Sequence, residues 1–291
     1  PRDRPAVKPA PLLATAQILG GIGFLCLMDA LVKWLAIRHG VPLTTFARYA
    51  AGTAIALPLW WWHGRPALHR NGWRLHLLRG ALIAAMALSF FWSISRLPLA
   101  LVITITFIAP LLIPPLAALF LGERLQPRLL LAGGIGFAGV IVAAGGLPDL
   151  AGTQLMPVLA ALFAAVCYAA SSVVLRARAA RDGATAITLA GAAVPMVLLL
   201  PLGVGAPLPG PTDLAWFAAL GLVGNIGVQL LARGYAHVQA QAAAVIEFTA
   251  LPWAALFGWA IFAEPVAPAT AAGAAIIAIA VWAANRPQPA P

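Results

Sequence analysis

Ten apolar runs, each long enough to cross a hydrocarbon layer, fill almost the whole of this 291-residue chain. A membrane-crossing helix needs about 20 predominantly apolar residues. Broken by charge, proline and glycine, the runs cover 13–38, 42–63, 74–96, 99–121, 128–146, 154–178, 184–203, 213–236, 239–262 and 266–285. Residues are 62% hydrophobic and 9% charged, against about 45–50% and about 25% in a soluble domain, which excludes an ordinary cytosolic protein. Backbone buried in lipid must satisfy its own hydrogen bonds, and these runs are too long and too uniform for the alternating strands of a barrel. The predicted fold is therefore an all-α integral membrane bundle of ten transmembrane helices. Arg2, Arg4 and Lys8 look like the n-region of a signal peptide, but the run that follows is far longer than a cleavable segment, so it is read as a retained first span.

The net charge of +10 would point to nucleic acid in a soluble protein. Here the cations are scattered among short loops and read as an orientation signal. A cytoplasmic N-terminus puts fourteen of the 18 Lys and Arg, Arg74 and Arg79 among them, in inside segments. Only Arg38 and Arg96 fall outside, while Lys33 and Arg48 lie within spans. Both termini are predicted cytoplasmic. The halves also share an offset of 141 residues, which relates Cys26 to Cys167, Gly80 to Gly221, Phe107 to Phe248, Glu123 to Glu264 and Pro127 to Pro268. The chain then divides into a tail 1–12, a five-helix unit 13–146, a second five-helix unit 154–285 and a tail 286–291. Five is odd, so the second unit crosses in the opposite sense. Inverted-topology repeats favour transport by alternating access about a site near the midplane.

These residues resemble the drug/metabolite transporter superfamily, in its ten-helix group built from two EamA-type repeats. The matching features are Met28-Asp29-Ala30-Leu31-Val32-Lys33, Arg48 in the second run, Pro110 followed by Gly122-Glu123, and a glycine-rich fifth run. The second half repeats the last pattern less faithfully, with Ala263 before Glu264. The resemblance covers essentially the whole chain, and YddG-type exporters of aromatic amino acids are similar. It implies a secondary transporter of small metabolites with a cavity lined by the first, third, fourth, sixth, eighth and ninth helices, in the bacterial inner membrane. Amino-acid export, aromatic ones included, is the expected activity; uptake of S-adenosylmethionine, riboflavin or another metabolite is the alternative.

Ionisable groups within a span are costly and face a cavity or a partner. Asp29 and Lys33 share a helix face by their i, i+4 spacing, and Arg48 can meet Asp29 across the hairpin. The cluster either offers positive charge to a substrate carboxylate or forms a structural ion pair. Glu247 lies deep in the ninth run, where loss of water disfavours a charged carboxyl. It suits proton coupling or a substrate ammonium, the alternative being a permanently protonated structural group. Asn225 and Gln229 share a face and can bond substrate or a neighbouring helix. Thr104, Phe107, Tyr168, Ser171, Ser172 and Phe248 are candidate cavity residues near mid-membrane depth, the rings being suited either to stacking an apolar or aromatic substrate or to plain packing. Pro110 and Pro252 are candidate hinges through their missing N–H, Trp92 a gate or interfacial anchor, and Glu123 and Glu264 gates or helix caps.

Gly134-Ile-Gly136-Phe-Ala-Gly139 fits a dinucleotide fingerprint, but it follows no strand and reads as close helix packing. No metal-ligand cluster or nucleotide loop is found, so neither cofactor nor metal is expected, and the chain is read as a transporter rather than an enzyme. A membrane-embedded enzyme would need Asp29 and Glu247 to face each other within about 5–10 Å. The expected partners are the lipid bilayer and a small-molecule substrate, with no nucleic acid, and a repeat pair in one chain fits a monomer.

Overall fold

The computed structural model describes residues 12–64, 72–94, 96, 99–143, 145–146, 155–203, 209–262 and 266–285. Every regular element among them is a helix: α1 Leu12–His39, α2 Val41–Trp62, α3 Trp73–Ile94, α4 Leu99–Thr106, α5 Ala109–Leu121, α6 Pro127–Ala143, α7 Leu155–Gly203, α8 Pro211–Tyr235, α9 Ala240–Glu247, α10 Ala250–Phe262 and α11 Pro268–Asn285. Six segments among them are long and apolar enough to cross a membrane. One of these is α7, whose 49 residues would extend about 74 Å if straight, more than twice the hydrocarbon thickness. It bends instead at Gly183, where φ 75° and ψ 156° are open only to glycine. Gly40, between α1 and α2, has nearly the same backbone, φ 78° and ψ 157°.

Two of the expected spans are broken. Residues 99–121 form α4 and α5, interrupted at Phe107-Ile108, and 239–262 form α9 and α10, interrupted at Phe248-Thr249. The two breaks are 141 residues apart. Tight i→i+3 bonds carry the chain across each, from the Leu111 N–H to the Ile108 carbonyl and from the Leu251 N–H to the Phe248 carbonyl. Neither Pro110 nor Pro252 kinks the interior of a helix. Each sits in the first turn after the break, where a missing N–H costs nothing.

Two of the packed pairs, α1 with α8 and α3 with the first arm of α7, run in opposite directions. His39 at the end of α1 meets Asp213 at the start of α8, 3.2 Å apart, and Ser93 near the end of α3 donates to the Pro157 carbonyl at the start of α7. At the other end His76 of α3 reaches Asp182 beside the α7 bend. The dominant helix pairings are α1 with α8, α2 and α3 with α7, and α6 with α11. The α6–α11 pair is closest at Gly139 and Gly273, where a Cβ on Gly139 would stand 2.9 Å from the Gly273 carbonyl oxygen.

Candidate functional site

The breaks bring Phe107 and Phe248 together in the interior, their rings stacked with centroids 6.3 Å apart. Phe248 is fully buried and Phe107 half-buried. Glu247 immediately precedes that break and is the last residue of α9. It is 4% exposed, its Oε1 accepts a hydrogen bond from the Tyr235 hydroxyl of α8, and its Oε2 is buried with no hydrogen-bond partner. Tyr168 of α7 lies within electrostatic range of Glu247 and Tyr235, with Ser172 in reach of both tyrosines.

From Tyr168 the polar line continues into the first half of the chain. Arg79 of α3 faces Tyr168 and Tyr49. Arg48 of α2 holds its guanidinium 4.8 Å from the Tyr49 ring centre and lies in range of Asp29 on α1. The Asp29 side chain keeps accessible surface with Arg48 in electrostatic range. Cys26 of α1 lies in range of both Asp29 and Tyr168, so the two carboxyls share one polar cluster with the two arginines. Each carboxyl has its own surroundings, Arg48 for Asp29 and two tyrosines for Glu247.

One end of the bundle is latched by polar contacts. Glu123, just past α5, lies 3.4 Å from Nε of Arg176 and accepts the N–H of Ala240, the first residue of α9. Burial holds its carboxyl above the usual glutamate value, against the pull of Arg176 and that N–H. Gln126 donates to Gln239 at 2.8 Å, Gln241 donates to the Arg124 carbonyl, and Arg176 donates to the Tyr235 carbonyl. Beside the latch, Arg178 grips both oxygens of Asp182 at 2.6 Å, and His76 lies 2.8 Å from it. Burial alone would push the Asp182 carboxyl up; the bonds from Arg178 and His76 outweigh it and hold the group below the usual aspartate value. A cavity of about 520 Å³ opens at this end between α1, α7 and α8, lined by Gln17, Gly183, Arg233 and His237 among others.

The remaining expected residues separate. Asn225 is buried and donates to the Gly52 carbonyl of α2 at 2.8 Å, which gives it a helix-joining bond. Gln229 and Lys33 are partly buried. Thr104 and Ser171 are buried. Trp92 is exposed, with the Arg96 guanidinium 5.5 Å from its ring centre, a position suited to an interfacial anchor. Glu264 lies outside the described residues. Sequence reasoning missed Tyr49, Tyr235, Arg176 and above all Arg79, which it assigned to a loop-side charge count. The structure buries Arg79 in α3, and its place inside the third apolar run was the available signal.

A sequence profile described as the EamA-like transporter family matches residues 12–145 and again 155–286. The chain is 30% identical to the pseudopaline exporter CntI of Pseudomonas aeruginosa, over 89% of this chain and 91% of that protein. It is 29% identical to a riboflavin transporter of Rhizobium johnstonii, over 94% and 91%. An S-adenosylmethionine uptake transporter of Rickettsia felis is 25% identical over 91% and 92%. One crystal structure superposes with a TM-score of 0.74, covering 94% of this chain and 95% of the other at 21% identity, a likeness of fold.

Proposed function

This chain belongs to the EamA-like transporter family, and from that premise we propose that it is a ten-span secondary transporter of the bacterial inner membrane that moves amino-acid-like metabolites outward by alternating access. The spans are α1, α2, α3, the broken pair α4–α5, α6, the two arms of α7, α8, the broken pair α9–α10, and α11. Residues 13–146 and 154–285 form the inverted five-span repeats, both termini are cytoplasmic, and the latched end faces the cytoplasm. A single chain supplies the whole pathway. In this reading the structure is outward-facing: α5 buries Ala109, Pro110, Ile113, Pro114 and Ala117 against the latch, whereas none of residues 250–261 in its counterpart α10 is buried.

The observation that carries the reading is the polar line across an apolar bundle. Intramembrane charge of this kind marks a substrate path, and broken helices at the same depth are a usual device of transporter sites. Arg48 and Arg79 present guanidinium groups suited to a carboxylate, Glu247 lies on the opposite wall within reach of an ammonium, and the rings of Phe107 and Tyr168 offer an apolar surface between them. Asp29, Lys33, Thr104, Ser171, Gln229 and Phe248 complete the proposed lining, with Pro110, Pro252 and Glu123 at the moving joints. An α-amino acid carries the matching pair of charges. Uptake of a larger metabolite is the second reading, favoured by the names of the riboflavin and S-adenosylmethionine relatives.

Counterflow in proteoliposomes tests it. Vesicles preloaded with unlabelled tryptophan, phenylalanine, threonine, S-adenosylmethionine or riboflavin are given the labelled compound outside. Exchange of an amino acid that is lost in Arg79→Gln supports the proposal. Exchange of S-adenosylmethionine or riboflavin alone replaces it with the second reading, and exchange of none of the five by folded protein overturns the amino-acid assignment.

A further inference from the structure

Among the described residues, Glu247 Oε2 has no hydrogen-bond partner in this arrangement, with the Tyr168 hydroxyl close by, and that oxygen can take an occupant. Three features combine on this side chain. It is 4% exposed, its Oε2 has no hydrogen-bond partner among the described residues, and it ends α9, where the helix dipole disfavours an anion. Among the described residues, the groups around it supply no cation. Tyr235 of α8 and Tyr168 of α7 face the carboxyl, and Cys26 of α1 faces Tyr168. Arg176 of α7 is engaged by Glu123 and the Tyr235 carbonyl, Arg128 of α6 by the Ala283 carbonyl at the end of α11, and Asp29 of α1 faces Arg48. Arg79 of α3 faces the tyrosines rather than the carboxylate.

Resting on the transporter reading above, we propose that Glu247 is the coupling site, binding either a proton or the ammonium group of the substrate, so that export of one substrate is exchanged for entry of one proton. An isolated carboxylate in a dry interior takes up a proton or a cation rather than remain charged. With the site open to the cytoplasm, the Oε2–H bond breaks, the proton passes to water on that side, and the carboxylate pairs with the substrate ammonium. With the site open outward, the substrate leaves and a proton from outside water bonds to Oε2. Tyr235 donates to Oε1 in both states and keeps the carboxyl aimed, and Ser172 in reach of both hydroxyls fixes the tyrosines. The two occupants compete for one oxygen, so the carrier cannot return empty and ionised.

Two arms test this. In the first, infrared difference spectroscopy on purified protein uses the proton alone as probe, stepping between neutral and alkaline buffer. A protonated-carboxyl band present at neutral pH in the wild type, absent in Glu247→Gln and restored in Glu247→Asp, supports the proposal; a wild type without a Glu247-dependent band overturns it. In the second, proteoliposomes carry a pH dye inside and an imposed proton gradient, with tryptophan, phenylalanine and threonine as probes. The readout is steady-state accumulation with the gradient divided by accumulation without it. That ratio exceeds one in the wild type and in Glu247→Asp, and Glu247→Gln shows no gradient-driven accumulation. A wild-type ratio of one while counterflow runs overturns coupling. If no probe exchanges at all, the amino-acid reading fails, and the infrared arm still decides whether Glu247 carries the proton. Thermal melting of each variant shows that a lost signal is not lost folding.

Discussion

The two halves of the chain repeat one path and divide its chemistry. The break at Phe107-Ile108 and the break at Phe248-Thr249 fall at equivalent positions, each after eight helical residues and before thirteen. The two turns at Gly40 and Gly183 share one backbone conformation. Yet the residue ahead of the first break is Thr106 and ahead of the second Glu247, and the arginines of the polar line, Arg48 and Arg79, correspond to Leu189 and Leu220. The first half contributes cations and the second the buried carboxyl. Packing is unequal as well, for α5 is buried against α7 and α9 while α10 leans on α1 with its outer surface bare. Backbone symmetry gives a transporter two related end states; side-chain asymmetry lets them bind different things.

The strongest test of this comparison is at the stacked rings. Phe248 is fully buried and Phe107 half-buried, so Phe248→Ala is expected to cost about 3–5 kcal/mol and Phe107→Ala clearly less, as read by unfolding in mild detergent. Equal losses would mean that burial at the two breaks is alike. Asp182→Ala leaves Arg178 and His76 without their shared acceptor and is expected to cost about 3 kcal/mol, the low end for breaking a buried pair. The same residue sets a pH dependence. Its folded value is depressed, so its contribution is present above the unfolded value of about 3.9 and is lost as pH falls through that value towards the folded one. Acid unfolding should therefore be shallower in Asp182→Asn than in wild type.

Smaller effects sharpen the symmetry. Gly40→Ala and Gly183→Ala should each cost about 1–3 kcal/mol, because both place a Cβ in a backbone region reserved for glycine. Matching values by thermal melting would show that the turns are equivalent in energy as well as shape, and a tolerated substitution at either would break the parallel. Asn225→Ala removes a buried bond to Gly52 and should cost about 0.6 kcal/mol, typical of helix–helix hydrogen bonds in membranes. First-half Ala84 holds the corresponding position and should tolerate Ser with little change in the same assay.

Much of this architecture is legible before any coordinates. Span limits agree with helix ends to within a few residues, because they depend on length and hydropathy, which are local. The offset of 141 residues also anticipates that whatever happens at Phe107 recurs at Phe248. Where the helices break is less legible. Pro110 and Pro252 draw attention to themselves, but the interruption precedes each, since proline is comfortable in a first turn. Side-chain assembly is least legible. Asn225 in a glycine-rich run fits a substrate group as well as a helix joint, and only the position of Gly52 decides. Arg79 was absorbed into a count of loop charges, although a cation six residues inside an apolar run has to be buried against something. Tyr235 gave no signal, since a tyrosine at a span's end ordinarily reads as an interfacial anchor.

The glycine seam between α6 and α11 bears on how the molecule is made. Each of these helices closes its own half of the sequence, and each finds its partner in the other half. While a ribosome delivers α1 to α6, α6 carries an uncovered face of small residues, and α1, α2 and α3 likewise await α7 and α8. Insertion can proceed in order from the N-terminus, but assembly waits for the last helix. A nascent chain halted after residue 146 is thus an intermediate for membrane chaperones and quality-control proteases to manage, and α11 sets the moment at which the α6 seam closes.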